Sequence, residues 1–188
     1  EDSPRAAAQV WQELGLFREE HPVLLAGHVH IARDRSTGLI DASYMGLPAA
    51  TIPGVASKVT EVITIENKTT FHSEAKRRQD DQVLLIYTAG MPSPAWRAMY
   101  MRLLGSLPRD TRISHWGDVD EGGFRIASTI AAAARAASFA LQPYGMSPND
   151  VPLGMRVKAS ARTLERIHHF ACAAGWSELG QAVREAGF

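Results

Sequence analysis

From residue 59 onward the chain alternates short apolar runs with amphipathic stretches, and this alternation constrains its fold more than any other feature. Val83-Leu84-Leu85-Ile86-Tyr87 is apolar without a break, the pattern of a strand covered on both faces. Val59 to Ile65 is rich in β-branched residues and predicts a second buried strand, and Arg112 to Trp116 a third. Between and after them lie three helical stretches. Thr69 to Arg78 is the first. Ser93-Pro94 opens the second, which runs through Trp96, Met99, Tyr100 and Leu103 to near Gly105. The third, Gly123 to Ala140, carries Phe124, Ala127, Ile130 and Ala134 along one stripe. Strand and helix repeated in this order predict an α/β fold, a mainly parallel sheet flanked by helices.

The flanks read differently. Ser3 and Pro4 open a helix over Ala6 to Phe17, with Val10, Leu14 and Phe17 at helical spacing. Val23 to Ile31 and Leu39 to Tyr44 suggest short strands separated by turn residues at 34–38, 46–48 and 53–54. After a loop over 141–152, Ala161 to Ala174 and Ser177 to Ala186 form two further helices. The expected organisation is a lead-in helix and small β-appendage at 1–57, a core at 58–146, and a helical C-terminal extension at 147–188. The opening Glu1-Asp2-Ser3 lacks a Met and reads as already inside a fold, so a fragment of a longer protein is expected.

Composition narrows the function classes. Lys plus Arg and Asp plus Glu number 20 each, so nothing draws the whole molecule to nucleic acid, and DNA binding must rest on local patches. No apolar stretch reaches the roughly 18 residues of a membrane span, and the Ala-rich run Ile126 to Leu141 is broken by Ser128, Thr129 and Arg135. One cysteine, Cys172, excludes an internal disulfide; set in an apolar run, it reads as a buried structural thiol in a reducing, cytoplasmic setting.

Chemistry concentrates at two strand ends. Ile63-Thr64-Ile65-Glu66 places a carboxylate directly after a buried strand, where open parallel sheets bind their ligands. A plain loop glutamate paired with Lys68 is the alternative. His115-Trp116-Gly117-Asp118-Val119-Asp120-Glu121-Gly122-Gly123 repeats the arrangement. Residues two apart in extended chain point the same way, so Asp118 and Asp120 can face one side together. Converging carboxylates repel, and a hard divalent ion removes that penalty. The glycines permit close approach of a phosphate backbone, and the helix beginning near Gly123 favours an anion at its start. A solvated acidic turn stands beside this reading. A calcium EF-hand does not: counted from Asp118, Gly122 falls at position 5 and Thr129 at position 12. An aspartyl-phosphate phosphatase would carry its pair after the first strand, with Thr or Val where Gly122 stands.

Three segments taken together carry a resemblance: Glu66-Asn67-Lys68-Thr69-Thr70-Phe71-His72, Tyr87-Thr88-Ala89-Gly90-Met91-Pro92-Ser93, and His115 through Phe124. They resemble the C-terminal domain of JetD, the nuclease subunit of the Wadjet plasmid-defence system, which is similar to the Toprim part of the topoisomerase VI A subunit. The likeness runs from residue 59 to residue 146. It implies a Toprim-like fold and a metal-dependent DNA endonuclease or nickase acting on plasmid DNA. Glu66 would be the general acid/base and a possible metal contact, with Asp118 and Asp120 holding Mg²⁺ or Mn²⁺. Lys68 and His72, just past Glu66, are candidate phosphate contacts, as are Arg162 and Arg166, which share a helix face. A homodimer and an SMC-type complex are the implied partners, besides DNA.

Topoisomerase VI subunits join DNA through a tyrosine on a separate domain, and none of Tyr44, Tyr87, Tyr100 or Tyr144 has such a context. Hydrolysis by activated water is therefore expected in place of covalent strand passage. A non-catalytic DNA-docking or assembly module is the main alternative. A small-molecule phosphotransfer enzyme is a third, though the chain lacks a G-x-x-x-x-G-K-[ST] loop.

Overall fold

The computed structural model describes residues 13–14, 20–33, 35–40, 43–78 and 82–188. The helix expected over Ala6 to Phe17 lies outside these residues apart from 13 and 14. The strands are β1 (Val23–Ala26), β2 (His30–Ala32), β3 (Thr37–Leu39), β4 (Met45–Leu47), β5 (Gly54–Val55), β6 (Glu61–Ile65), β7 (Val83–Tyr87), β8 (Arg112–Trp116) and β9 (Leu141–Pro143). The helices are α1 (Lys68–Arg77), α2 (Pro94–Gly105), α3 (Glu121–Ala136), α4 (Ala161–Ala174) and α5 (Ser177–Ala186).

The main sheet has the order β4-β1-β7-β6-β8-β9. Strands β7, β6, β8 and β9 are parallel neighbours, whereas β1 and β4 run antiparallel at one side. The fold class is α/β, as the alternation predicts. Strands β3, β2 and β5 make a second, antiparallel sheet.

Pleating sorts the core strands between two hydrophobic layers. Val62, Leu84, Ile86 and Ile113 enter the larger layer with helices α2, α3, α4 and α5; Ile63, Ile65, Leu85 and Val83 enter the smaller one with Phe71 and Ala75 of α1. The same parity sends Thr64 and His115 to the larger layer's face. The C-terminal helices are continuous with that layer through Ile167, Ala171, Trp176 and Val183.

Several local expectations shift for physical reasons. The stretch set apart as a β-appendage supplies β1 and β4 to the main sheet, so β1 pairs Leu25 with Ile86 of the core. The 46–48 segment expected as a turn is partly strand, pairing Gly46 with Leu24. The third core helix stops at Ala136 rather than Ala140: Ser138 takes φ 65° and the Phe139 N–H closes on the Ala134 carbonyl at 2.9 Å, a left-handed helix end. The chain so released forms β9 where a loop was expected. Cys172 is exposed, not buried, because the inward positions of α4 are Ile167, Ala171 and Ala174.

At the amino ends of the core strands, buried Glu61 accepts from Ser114 Oγ at 2.8 Å and from Arg112 Nη2 at 2.8 Å. Arg112 has a 66% exposed side chain and rehydrates if its partner is removed, whereas buried Ser114 does not. Glu61→Ala should therefore lower unfolding free energy by about 1–3 kcal/mol, the cost of an orphaned buried polar group. Urea denaturation measures it, with Arg112→Ala having the smaller effect.

Candidate active site at two strand ends

Strand β6 is flanked by β7 and β8, and the chain leaves its end toward β7 through α1. From β8 it leaves the other way, through α3 toward β9. The carboxyl ends of β6 and β8 therefore bracket a topological switch point, where open α/β sheets form their ligand crevice. Glu66 follows β6 directly, and Gly117-Asp118 follow β8.

Local chemistry fixes both ends. The Asn67 side chain caps α1, accepting from the Thr69 and Thr70 N–H groups at 2.9 and 3.1 Å, so the chain turns immediately after Glu66. The Glu66 N–H donates to the Trp116 carbonyl at 2.9 Å, extending the β6–β8 ladder to the site. In return, the Asp118 N–H donates to Glu66 Oε2 at 3.3 Å. Asp120 caps α3, its Oδ1 accepting from the Gly123 N–H at 2.8 Å.

Glycines allow the close approach. A Cβ on Gly123 would lie 2.1 Å from the Asp118 carbonyl oxygen. A Cβ on Gly117 would lie 2.8 Å from His115 Nε2 and 3.0 Å from Glu66 Oε2.

Burial pushes the Glu66 carboxyl above the usual glutamate range; the Asp118 N–H opposes this, and the negative charges of Asp118 and Asp120 add to the rise. Asp118 is likewise raised, by burial and then by Asp120. The three acids thus share one electrostatic neighbourhood. Among the described residues, however, no three His, Cys, Asp or Glu side chains form a group that could hold a metal ion. An all-oxygen donor set whose carboxylates repel one another suits a hard divalent ion, which takes one or two carboxylates and fills its shell with water.

Those raised pKa values set a sign for stability. A carboxyl whose folded pKa lies above its unfolded one holds its proton more tightly when folded. Its contribution therefore falls as pH rises from the unfolded toward the folded pKa, and stays unfavourable above. Asp118→Asn should raise the thermal midpoint of the metal-free protein at neutral pH, with the gain disappearing in acid. Thermal melts of parent and variant across the carboxylate range test this.

The other sequence candidates are dispersed. Lys68 is exposed at the first position of α1. The His72 ring lies against Tyr44, with centroids 4.8 Å apart. Arg162 and Arg166 are exposed on α4, and Arg166 pairs with Glu121 at 2.9 Å, beside the start of α3. Near the end of α1, Arg77 and Arg78 both pair with Glu74. Ser93 serves as the N-cap of α2, its Oγ accepting from the Trp96 N–H at 3.1 Å.

Sequence reasoning gave no role to His115, which is fully buried with Nδ1 2.9 Å from Thr64 Oγ1. The available signal was its place two residues before Gly117, on the face that Glu66 shares.

The fold defines an α/β domain with carboxylates at the switch point of its sheet. A family described as Wadjet protein JetD, C-terminal, matches residues 15–152. The chain belongs to that family, and so to a component of the Wadjet system. No curated protein matches it. Among the described residues, no helix is long and apolar enough to cross a membrane.

Proposed function

We propose that this chain is a divalent-metal-dependent, Toprim-type DNA endonuclease or nickase domain that cleaves plasmid DNA phosphodiesters in Wadjet defence. The carrying observation is the meeting of Glu66 with the Asp118 loop across two adjacent strand ends, joined by the Asp118 N–H to Oε2 bond. Family membership supplies the defence context.

Asp118 and Asp120 would hold Mg²⁺ or Mn²⁺, with Glu66 alongside. When bound, the ion would polarise a phosphate oxygen and offset charge building in the transition state. Burial holds the Glu66 carboxyl above its ordinary pKa, the direction that favours a proton-transfer role. The start of α3 favours an anion at the same edge. Lys68, exposed at the start of α1, is better placed for phosphate than His72, whose ring is engaged by Tyr44. Arg162 and Arg166 would track the DNA backbone along α4. Plasmid DNA, a second copy of the chain and the SMC-type Wadjet subunits are the partners of this reading, and the cytoplasm is its setting.

One observation favours the assembly-module alternative: the described residues hold no ready three-ligand cluster. A plasmid-nicking assay with Mn²⁺ separates the two readings. Loss of nicking in Glu66→Gln and Asp118→Asn supports catalysis here, and equal nicking by parent and variants assigns the activity to a contaminant or another site.

A further inference from the structure

The turn of the β2–β3 hairpin and the chain after β4 border an open cleft lined by Arg33, Arg35, Ser36 and Thr51. Every lining residue is polar, two are cations and none is an acid. The hairpin holds them on a fixed frame: the Arg33 N–H donates to the Ser36 carbonyl at 2.9 Å, and Ala32 pairs with both Thr37 and Gly54. Ile31, Ile40 and Ile52 anchor that frame in the core. A third guanidinium braces the wall. Arg102 Nη2 donates to the Ala49 carbonyl at 2.8 Å and to the Ile52 carbonyl at 3.4 Å, on either side of Thr51. Elsewhere Arg77, Arg78, Arg112, Arg166 and Arg184 each pair with a glutamate. Among the described residues, no carboxylate pairs with Arg33, Arg35 or Arg102. Cations gathered without counter-charge repel one another, and an anion offsets that repulsion.

We propose that Arg33, Arg35 and Ser36 form a phosphate site that grips the DNA backbone away from the point of cleavage. The inference rests on the proposed reading of the chain as one that acts on DNA. Guanidinium forks match phosphate oxygens two at a time, and the Ser36 hydroxyl adds a further donor. Thr51 Oγ1 already donates to the Pro48 carbonyl at 2.9 Å, so Thr51 shapes the wall. The lining holds no aromatic side chain on which a base could stack, so the phosphate is the part recognised. An open cleft also suits a continuous backbone better than an enclosed small anion. Cations and anions balance at 20 each over the chain, which leaves DNA contact to local groups of this kind. Thr51 closes the turn after β4, and β4 stands three strands from β6 in the main sheet. Strand spacing then puts the cleft on the order of 15 Å from Glu66.

The test is duplex-DNA binding by the full chain without metal, followed by fluorescence anisotropy over a range of salt. Arg33→Gln together with Arg35→Gln should weaken binding about tenfold at low salt and flatten the log–log salt slope by roughly 1–2, since each lost phosphate contact removes about 0.9. Both side chains are exposed, so the thermal midpoint should stay at the parent value. Arg33→Lys together with Arg35→Lys keeps the charge and should restore the slope. A parent-like slope in the double Arg→Gln variant overturns the proposal, and so does a parent that binds no duplex DNA. Inorganic phosphate titrated against the arginine Nε resonances is the second arm. Phosphate that shifts Arg33 and Arg35 while DNA binding ignores their replacement assigns a free-anion site and overturns the backbone assignment. Nicking that is equal in parent, Glu66→Gln and Asp118→Asn would end the active-site reading and leave the metal-free binding result standing.

Discussion

Glu66→Gln and Asp118→Asn should each reduce Mn²⁺-dependent nicking of supercoiled plasmid by about 10²-fold or more, the usual scale for removing a positioned acid/base group. Both substitutions nearly preserve side-chain volume, and the Asp118 N–H that bonds Glu66 Oε2 is backbone and survives either change. The variants should differ in kind. Glutamine removes proton transfer while leaving the Asp118 and Asp120 carboxylates in place, so Glu66→Gln should retain most Mn²⁺ affinity. Asp118→Asn removes a ligand charge and should lose affinity and rate together. Calorimetric Mn²⁺ titration beside the nicking assay resolves the two. Wild-type nicking by Asp118→Asn would end the metal-ligand assignment.

Gly123→Ala should damage the domain more than any other single methyl near the site. The new Cβ would lie 2.1 Å from the Asp118 carbonyl oxygen and 2.9 Å from its nitrogen. Both are backbone atoms and cannot rotate aside, so the loop or the start of α3 must move. Overpacking of this type costs about 1–3 kcal/mol, a fall of roughly 2–4 °C in thermal midpoint per kcal/mol at this chain length. The displaced backbone is that of a proposed ligand, so nicking should vanish along with the stability. Gly122→Ala is the control. Its Cβ meets the Asp120 carboxylate at 3.2 Å, a side chain able to yield. Equal stability of the two variants in chemical denaturation would contradict the crowding described at Gly123.

The core of the fold was legible because its strands are apolar on both faces and its helices begin with strong caps. β7 and β8 begin and end where the sequence places them, and α4 and α5 match to the residue. β3, β4, β5 and β9 were missed. Each is two or three residues long and carries a glycine or proline, so their pairing comes from neighbours in the sheet rather than from their own pattern. Cys172 misled because an apolar run on a helix alternates between buried and exposed faces, which composition does not register. Glu66 and Asp118 were legible as strand-end carboxylates, and their adjacency required only that β6 and β8 be neighbours. The split duty of Asp120, both helix cap and candidate ligand, was not.

The interior placement of β6 has a further consequence. Segments of a protein open locally at very different free energies, and interior strands lie near the global limit. Glu66 directly follows such a strand, and Gly117-Asp118 follow another, since β8 lies between β6 and β9 and is tied on both sides near its end. Displacing the backbone anchor of either acid therefore requires dismantling the sheet, and only side chains are left to adjust to an incoming ion or phosphate.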